Sequence, residues 1–352
     1  CNSPHIYSTI HFISIVFDTI HLFTVLKYIY RMKAIKLFTM AALATAVFAS
    51  CSNDEDLAQS SYPADNVVRV TTNVEDITTR AFHTTNTLDE FAFCIGNANN
   101  IKYSYNNIMM RKEGTNWNPS VQMLWQNSTQ PVDIMAYAPF DSRGNTETMI
   151  KVKKYPVSVG TQQMAGTYES DFLVYKKTGF VPEKDLTNGA VDITFTHALS
   201  LLNIKIEFGT DFNTTTPLAA NPINNINIGG SINQGFADLS ADPITVAVDA
   251  TCAPVLIEPE LGEFTAAANN DAHAIANYSA ILIPQTITEG FRVEFEINGK
   301  IYVWRAPKNV TATLEAGKKH LLTLTVGKDF VKAGSMQASP WVEGTGATLE
   351  TE

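Results

Sequence analysis

The sequence predicts an all-β fold built from two β-sandwich domains in tandem. Three observations point to it. Short segments with period-two alternation recur along the chain, as they do in half-buried strands. Charged residues make up only 17% of the composition against 45% apolar residues, a balance that suits sheets better than helical bundles. The 352 residues exceed the size of one ordinary sandwich.

The strand predictions follow from the alternation and from the turn residues between segments. Alternation is strict at 68–74, 191–196, 202–208, 291–297 and 322–326. The dipeptide Asn298-Gly299 separates one of these segments from 301–305, and it strongly favours a hairpin turn. Further strands are predicted at 132–137, 151–159, 172–175, 244–248, 255–258 and 280–283.

A turn-rich stretch after Phe208 is the best candidate for a domain junction. It begins Gly209-Thr210-Asp211 and reaches Pro217. We therefore predict an N-terminal sandwich at 67–209 and a C-terminal sandwich at 210–352, each large enough to hold its own core.

The chain is acidic, and its excess of acid lies in the region after residue 50. The formal net charge is −10; the first 50 residues hold four basic residues and one acid, so the part from Cys51 onward carries −13. Such a surface repels phosphate backbones and anionic lipids. We therefore predict no nucleic-acid partner and no docking on membranes by charge alone.

The first 31 residues precede a complete export signal. A mostly apolar stretch at 10–30 could be read as a membrane span, but His11, Asp18, His21 and Lys27 interrupt it at high cost in a bilayer. Since the export signal begins at Met32, we interpret residues 1–31 as a non-native upstream extension.

Residues 32–50 have the three parts of a lipoprotein signal peptide. Lys33 and Lys36 precede an apolar segment at 37–48, and small residues follow directly before Cys51. A cysteine at this position predicts lipidation of Cys51; the alternative is an ordinary secretory signal with an incidental cysteine. Acids at 54–56 follow, and we predict a flexible acidic tether at 51–66.

Six landmarks, in this order, resemble the fimbrillin (major and minor fimbrial subunit-like) lipoproteins of Bacteroidetes. They are the lipobox with its acidic run, TTRAF at 78–82, FTHAL at 195–199, ILIPQ at 281–285, AGKKH at 316–320 and SPWVEG at 339–344. The resemblance implies two transthyretin-like Greek-key β-sandwich domains and an outer-membrane lipoprotein precursor. It also implies roles in fimbriae and adhesion, with other fimbrial subunits, including further copies of this chain, as partners.

The same resemblance makes Arg80 and Ala81 a candidate proteolytic processing site. The TTRAF segment is similar to the one that an arginine-specific surface protease cuts in this family. Cleavage there would remove the strand at 67–74, and a strand from a neighbouring subunit could then take its place. The alternative is that 67–74 stays as a permanent strand and Arg80 is a loop residue. The tail after Trp341 is short and polar, a poor donor strand, which favours a tip or accessory subunit.

The sequence predicts no catalytic, cofactor-binding or metal-binding residues. The Gly-Gly and Ala-Gly-Lys segments lack phosphate-loop spacing, and no metal-binding motif occurs. We interpret His197 as a hydrogen-bonded histidine at a strand end, and Glu169 and Asp171 as turn residues rather than a glycosidase pair. Trp117, Trp125 and Trp304 are predicted to pack in cores rather than line a glycan site.

Cys94 and Cys252 are the cysteines of the region after Cys51. They are far apart in the sequence and fall in different predicted domains, so we favour free buried thiols over a bridge.

These observations favour a fimbrial subunit, or an accessory or tip adhesin, that is not an enzyme. We expect it at the outer membrane, lipid-anchored, on the cell surface or in the fimbrium. The alternative is a non-polymerising surface lipoprotein that binds a glycan or host protein. A surface hydrolase is disfavoured because no nucleophile, base and orienting group can be assembled from motifs.

Overall fold

The computed structural model describes residues 61–74, 83–142, 148–164, 170–308, 311–334 and 336–340. All of them fall in one compact unit, Gln59–Glu352. The predicted all-β class is confirmed. In this part of the chain helix is limited to α1 Pro182–Asp185 and the 3₁₀ turns η1 Ile101–Tyr103, η2 Met149–Lys151 and η3 Thr210–Phe212. None of the described helices is long and apolar enough to cross a membrane.

The strands of the described residues are numbered in chain order. They are β1 Val70–Val74, β2 Glu90–Gly96, β3 Tyr105–Glu113, β4 Asn116–Pro119, β5 Val132–Ala138, β6 Tyr155–Ser158, β7 Leu173–Phe180, β8 Val191–His197, β9 Ser200–Phe208, β10 Ile223–Ser231, β11 Gln234–Asp238, β12 Thr245–Val248, β13 Val255–Ile257, β14 Glu260–Thr265, β15 Ile275–Leu282, β16 Gln285–Ile287, β17 Arg292–Ile297, β18 Lys300–Arg305, β19 Ala312–Leu314, β20 Lys318–Gly327, β21 Phe330–Ala333 and β22 Gln337–Pro340.

Several predictions concern segments outside the described residues. These are the upstream extension at 1–31, the signal peptide at 32–50, Cys51 with most of the tether, Arg80 with Ala81, Glu169 and the tail after Trp341. They remain predictions.

The seven-stranded sheet packs on a core of its own. Its strand order is β1-β8-β7-β5-β2-β3-β4, with β1 at one edge. Phe91 lies at the centre of this core, with the ring of Phe195 at 5.3 Å and that of Trp117 at 4.7 Å, both edge-on. Trp125 is buried and stacks on Phe180. The prediction that these tryptophans pack in cores is therefore confirmed, and Trp304 likewise packs edge-on against Phe291.

The second core is formed mainly by two sheets of the later part of the chain. Their strand orders are β13-β10-β17-β18 and β14-β15-β9-β20-β21, and both contribute their apolar face to one cluster. The strict alternation of β9, β17 and β20 places every second side chain in this cluster. Asn298 and Gly299 both have positive φ and form the predicted hairpin turn between β17 and β18.

A three-stranded sheet, β12-β11-β6, joins residues from both predicted domains. Strand β6 pairs with β11, and β9, which ends just before the predicted junction at Gly209, pairs with β15 and β20. The change of sheet thus comes between β8 and β9, near residues 198–199. The strand pairing does not change at residue 209, and the domain boundaries at 67–209 and 210–352 remain a prediction.

Both described cysteines are free, as predicted. Cys94 is buried, and burial raises the pKa of its thiol to about 12. Cys252 is only partly buried, contrary to the expectation of two buried thiols, because it lies in a turn after β12.

Candidate functional site

The candidate site is the slot that holds β1. Strand β1 pairs in parallel with β8, with Val70 opposite Val191 and Val74 opposite Phe195. Val68, Val70 and Val74 are only 2%, 6% and 4% exposed and belong to the core of the first sheet. The predicted face of this strand is therefore confirmed, and β1 supplies part of one wall of the core.

A second chain segment contacts the approach to β1 from its other side. The Val68 N–H donates to the Met123 carbonyl at 3.0 Å, and the Trp125 N–H donates to the Asn66 carbonyl at 2.8 Å. Val67 and Leu124 form an antiparallel bridge between these two bonds. Residues 66–74 thus bond to the edge of β8 and to the segment 123–125, so their removal would leave both with unpaired backbone groups.

The two ends of the candidate cleavage segment are held close together. At the end of β1, the Val74 N–H donates to the Thr85 hydroxyl at 3.0 Å. After residues 75–82, the His83 N–H donates to Asp171 Oδ2 at 3.0 Å. Arg80 and Ala81 therefore lie in the connection between a strand at the sheet edge and a fixed point in the fold.

The fixed point is a buried aspartate–histidine pair. Asp171 Oδ1 lies 2.9 Å from His197 Nδ1, and the two side chains are 0% and 1% exposed. The prediction of a hydrogen-bonded His197 is confirmed. Asp171 does more than the turn role predicted for it, since it joins the start of β7 to the end of β8 and to His83. Burial lowers the pKa of His83, which favours its neutral form.

Contacts on both sides thus hold residues 66–74 in the fold. Among the described residues no three His, Cys, Asp or Glu side chains converge in a way that could bind a metal ion. Sequence reasoning identified β1 but missed the segment 123–125 and the contact of His83 with Asp171. The only signal for the former was the short apolar run at 123–125, which has no period.

Comparison with known proteins gives a family and a fold. The model of the fimbrillin-like family matches residues 68–341. A candidate cell adhesion protein from Bacteroides ovatus superposes with a TM-score of 0.57 at 14% identity, over 79% of this chain and 98% of that chain. A second one, from Bacteroides uniformis, has a TM-score of 0.54 at 18% identity, over 80% of this chain and 100% of that chain. No functionally curated protein matches the sequence. At such identities the likeness to solved structures is one of fold.

Proposed function

Since this chain belongs to the fimbrillin-like family, we propose that it is a subunit of a fimbrium, or an accessory or tip adhesin, assembled by proteolysis-triggered strand exchange. Family membership places it among fimbrial subunits and related adhesins of the cell surface. The finer proposal adds a lipid anchor on the outer membrane, a cleavage and an exchange of strands. Its role is mechanical and adhesive.

The observation that carries the proposal is the placement of β1 next to the candidate cleavage segment. Strand β1 is an edge strand bonded to β8, and its two valines, together with Val68 just before it, are buried in the core. Its connection to the rest of the fold runs through Arg80. A cut after Arg80 would leave only non-covalent contacts to hold residues 66–74.

Loss of β1 would create an acceptor for another strand. The edge of β8 would expose its backbone N–H and C=O groups beside an apolar groove, and such an edge pairs readily with another chain. A donor strand with apolar residues at alternate positions would restore both the backbone bonds and the buried side chains. His83 would keep its hydrogen bond to Asp171, so the shortened chain would stay attached two residues after its new N-terminus.

Filaments distinguish this proposal from its alternative. The gene would be overexpressed in its own host and the cells labelled with gold-conjugated antibody against residues 83–340. We expect label along filaments. Label confined to the cell body would favour the alternative, a surface lipoprotein that does not polymerise.

Lipidation of Cys51 gives the first testable prediction. Cys51→Ser should abolish incorporation of labelled palmitate, because the substitution removes the thiol to which the lipid is attached. The protein should then move from the membrane fraction to the soluble fraction, because it has lost the acyl chains that anchor it. Cys252→Ser is the matched control, since this partly exposed thiol is not preceded by a signal segment. Unchanged labelling of the Cys51→Ser chain would contradict lipidation at this residue.

A further inference from the structure

An open cleft lies on the outer face of the sheet β12-β11-β6. Its volume is about 700 Å³. Pairing sets its floor: Gln234 lies opposite Ser158 and Phe236 lies opposite Pro156, so these four side chains share one face. Their neighbours Tyr155 and Val157 point inward and are buried. The floor is therefore anchored to the second core.

The close approach of β12 to β11 depends on a glycine. A Cβ on Gly235 would clash with the carbonyl oxygen of Ala247, so no other residue fits without moving the strand. Because glycine allows the two strands to pair closely, the end of β12 lies beside Gln234, and there the Asp249 N–H donates to the Gln234 carbonyl. The side of the cleft is thus fixed by backbone contacts.

The polar groups of the cleft are amides, hydroxyls and a carboxylate. Gln162 and Gln234 are exposed, and Asn233, Ser170 and Asp249 are half-buried. Backbone bonds hold the segment that carries Gln162, since the Glu258 N–H donates to the Thr161 carbonyl at 2.8 Å. Part of this capacity is used inside the protein, since Gln162 Nε2 donates to Glu258 Oε2 and Asn233 Nδ2 donates to the Val159 carbonyl. The side-chain oxygens of these two amides remain to accept hydrogen bonds from the hydroxyls of a ligand.

An aromatic ring supplies the apolar part of the cleft. Phe236 is half-buried on the outer face, with Pro156 and Ala247 as its neighbours on the two flanking strands. The Lys154 ammonium lies 5.6 Å from the centroid of its ring. Ring, proline and alkyl surface together form an apolar patch bordered by hydrogen-bonding groups, the usual composition of a small-molecule or oligomer site.

We propose that this cleft binds an uncharged oligosaccharide. The ligand must be rich in hydroxyls to match the amides and Asp249, and it must offer an apolar ring face to Phe236. The cleft is open rather than enclosed, so it suits a chain of sugar units that continues beyond it better than a small molecule that must be surrounded. Charges of both signs lie near the cleft, since Lys154 is close to Asp249. The positive potential that would attract an anionic ligand is therefore weak. The inference rests on the adhesive part of the proposed function.

The test is binding of the full chain, purified from its host in detergent, to an array of neutral and sialylated oligosaccharides. The best neutral ligand is then titrated by calorimetry. Binding of neutral chains is expected, and Phe236→Ala should weaken it about tenfold, in proportion to a lost aromatic contact. Gln162→Ala should weaken it as well, and since Gln162 is exposed this change leaves the fold intact.

Phe330→Ala is the matched control. Phe330 is also partly exposed and carries a lysine over its ring, Lys332 at 5.0 Å, but it lies on β21. The Phe330→Ala chain should bind the neutral oligosaccharide with the affinity of the unaltered chain. Absence of any neutral ligand, binding of sialylated chains alone, or equal affinity in all variants would overturn the inference. If the protein forms filaments but binds no glycan, this inference is wrong while the proposed fimbrial role stands, because assembly is measured separately by microscopy.

Discussion

A chain that begins at Ala81, and therefore lacks β1, is expected not to persist as a stable monomer. The three buried valines of residues 66–74 each contribute about 1.5–3 kcal/mol by burial, so their loss removes about 5 kcal/mol or more. That is comparable to the whole stability of many domains. The exposed edge of β8 should also drive self-association.

The measurement is size-exclusion chromatography with light scattering, followed by thermal unfolding. The full chain should be monomeric with a cooperative transition, and the shortened chain should form larger species. A synthetic peptide of residues 62–74, added during refolding, should restore the monomer because it refills the slot between β8 and residues 123–125.

Two altered peptides serve as a matched pair. Val70→Asp places a carboxylate in the core and should prevent rescue, whereas Asn73→Asp places it on the exposed side of the same strand and should leave rescue intact. A shortened chain that stays monomeric, with the melting temperature of the full chain, would contradict the role given to β1.

Asp171→Ala is expected to destabilise the fold by about 3–5 kcal/mol. The change leaves both His197 Nδ1 and the His83 N–H without their acceptor, at about 1–3 kcal/mol for each unsatisfied buried group, and it leaves a small cavity in addition. The start of β7, the end of β8 and the segment that begins at His83 would lose the side chain that connects them. Urea unfolding of the full chain, followed by tryptophan fluorescence, measures the change.

Two further variants separate this effect from a simple loss of charge. Asp171→Asn keeps an acceptor oxygen and should recover part of the loss. Asp65→Ala removes the acid of a surface pair with Arg69, in which both side chains are about half exposed, and should cost no more than about 1 kcal/mol. A loss as small in Asp171→Ala as in Asp65→Ala would show that the buried pair does not hold the fold together.

The sequence predicted those strands whose two faces differ. Strands β1, β8, β9, β17 and β20 each have one buried and one more exposed face, so they alternate, and the prediction succeeded. Strand β2 was missed because it is buried on both faces and reads as a continuous apolar run. The stretch 151–159 was predicted as one strand, but η2 occupies its start and β6 only Tyr155–Ser158.

The candidate site could be predicted only as far as its local part. The alternation of β1 and the TTRAF segment after it are visible in the sequence. The second contact of its approach comes from residues 123–125, about 55 positions later in the chain, and the anchor of His83 is Asp171, 88 positions away. Nothing local relates such partners, because tertiary pairing alone brings them together. The cleft around Phe236 depends in the same way on the pairing of β6 with β11.

The N-terminal sequence of the chain, recovered from filaments sheared off cells of its own host, tests the proposed strand exchange most directly. Strand exchange predicts a start at Ala81, with β1 absent from the assembled subunit. Filaments whose subunits retain residues 51–80, or a surface chain that begins at a lipidated Cys51 and never enters filaments, would contradict it.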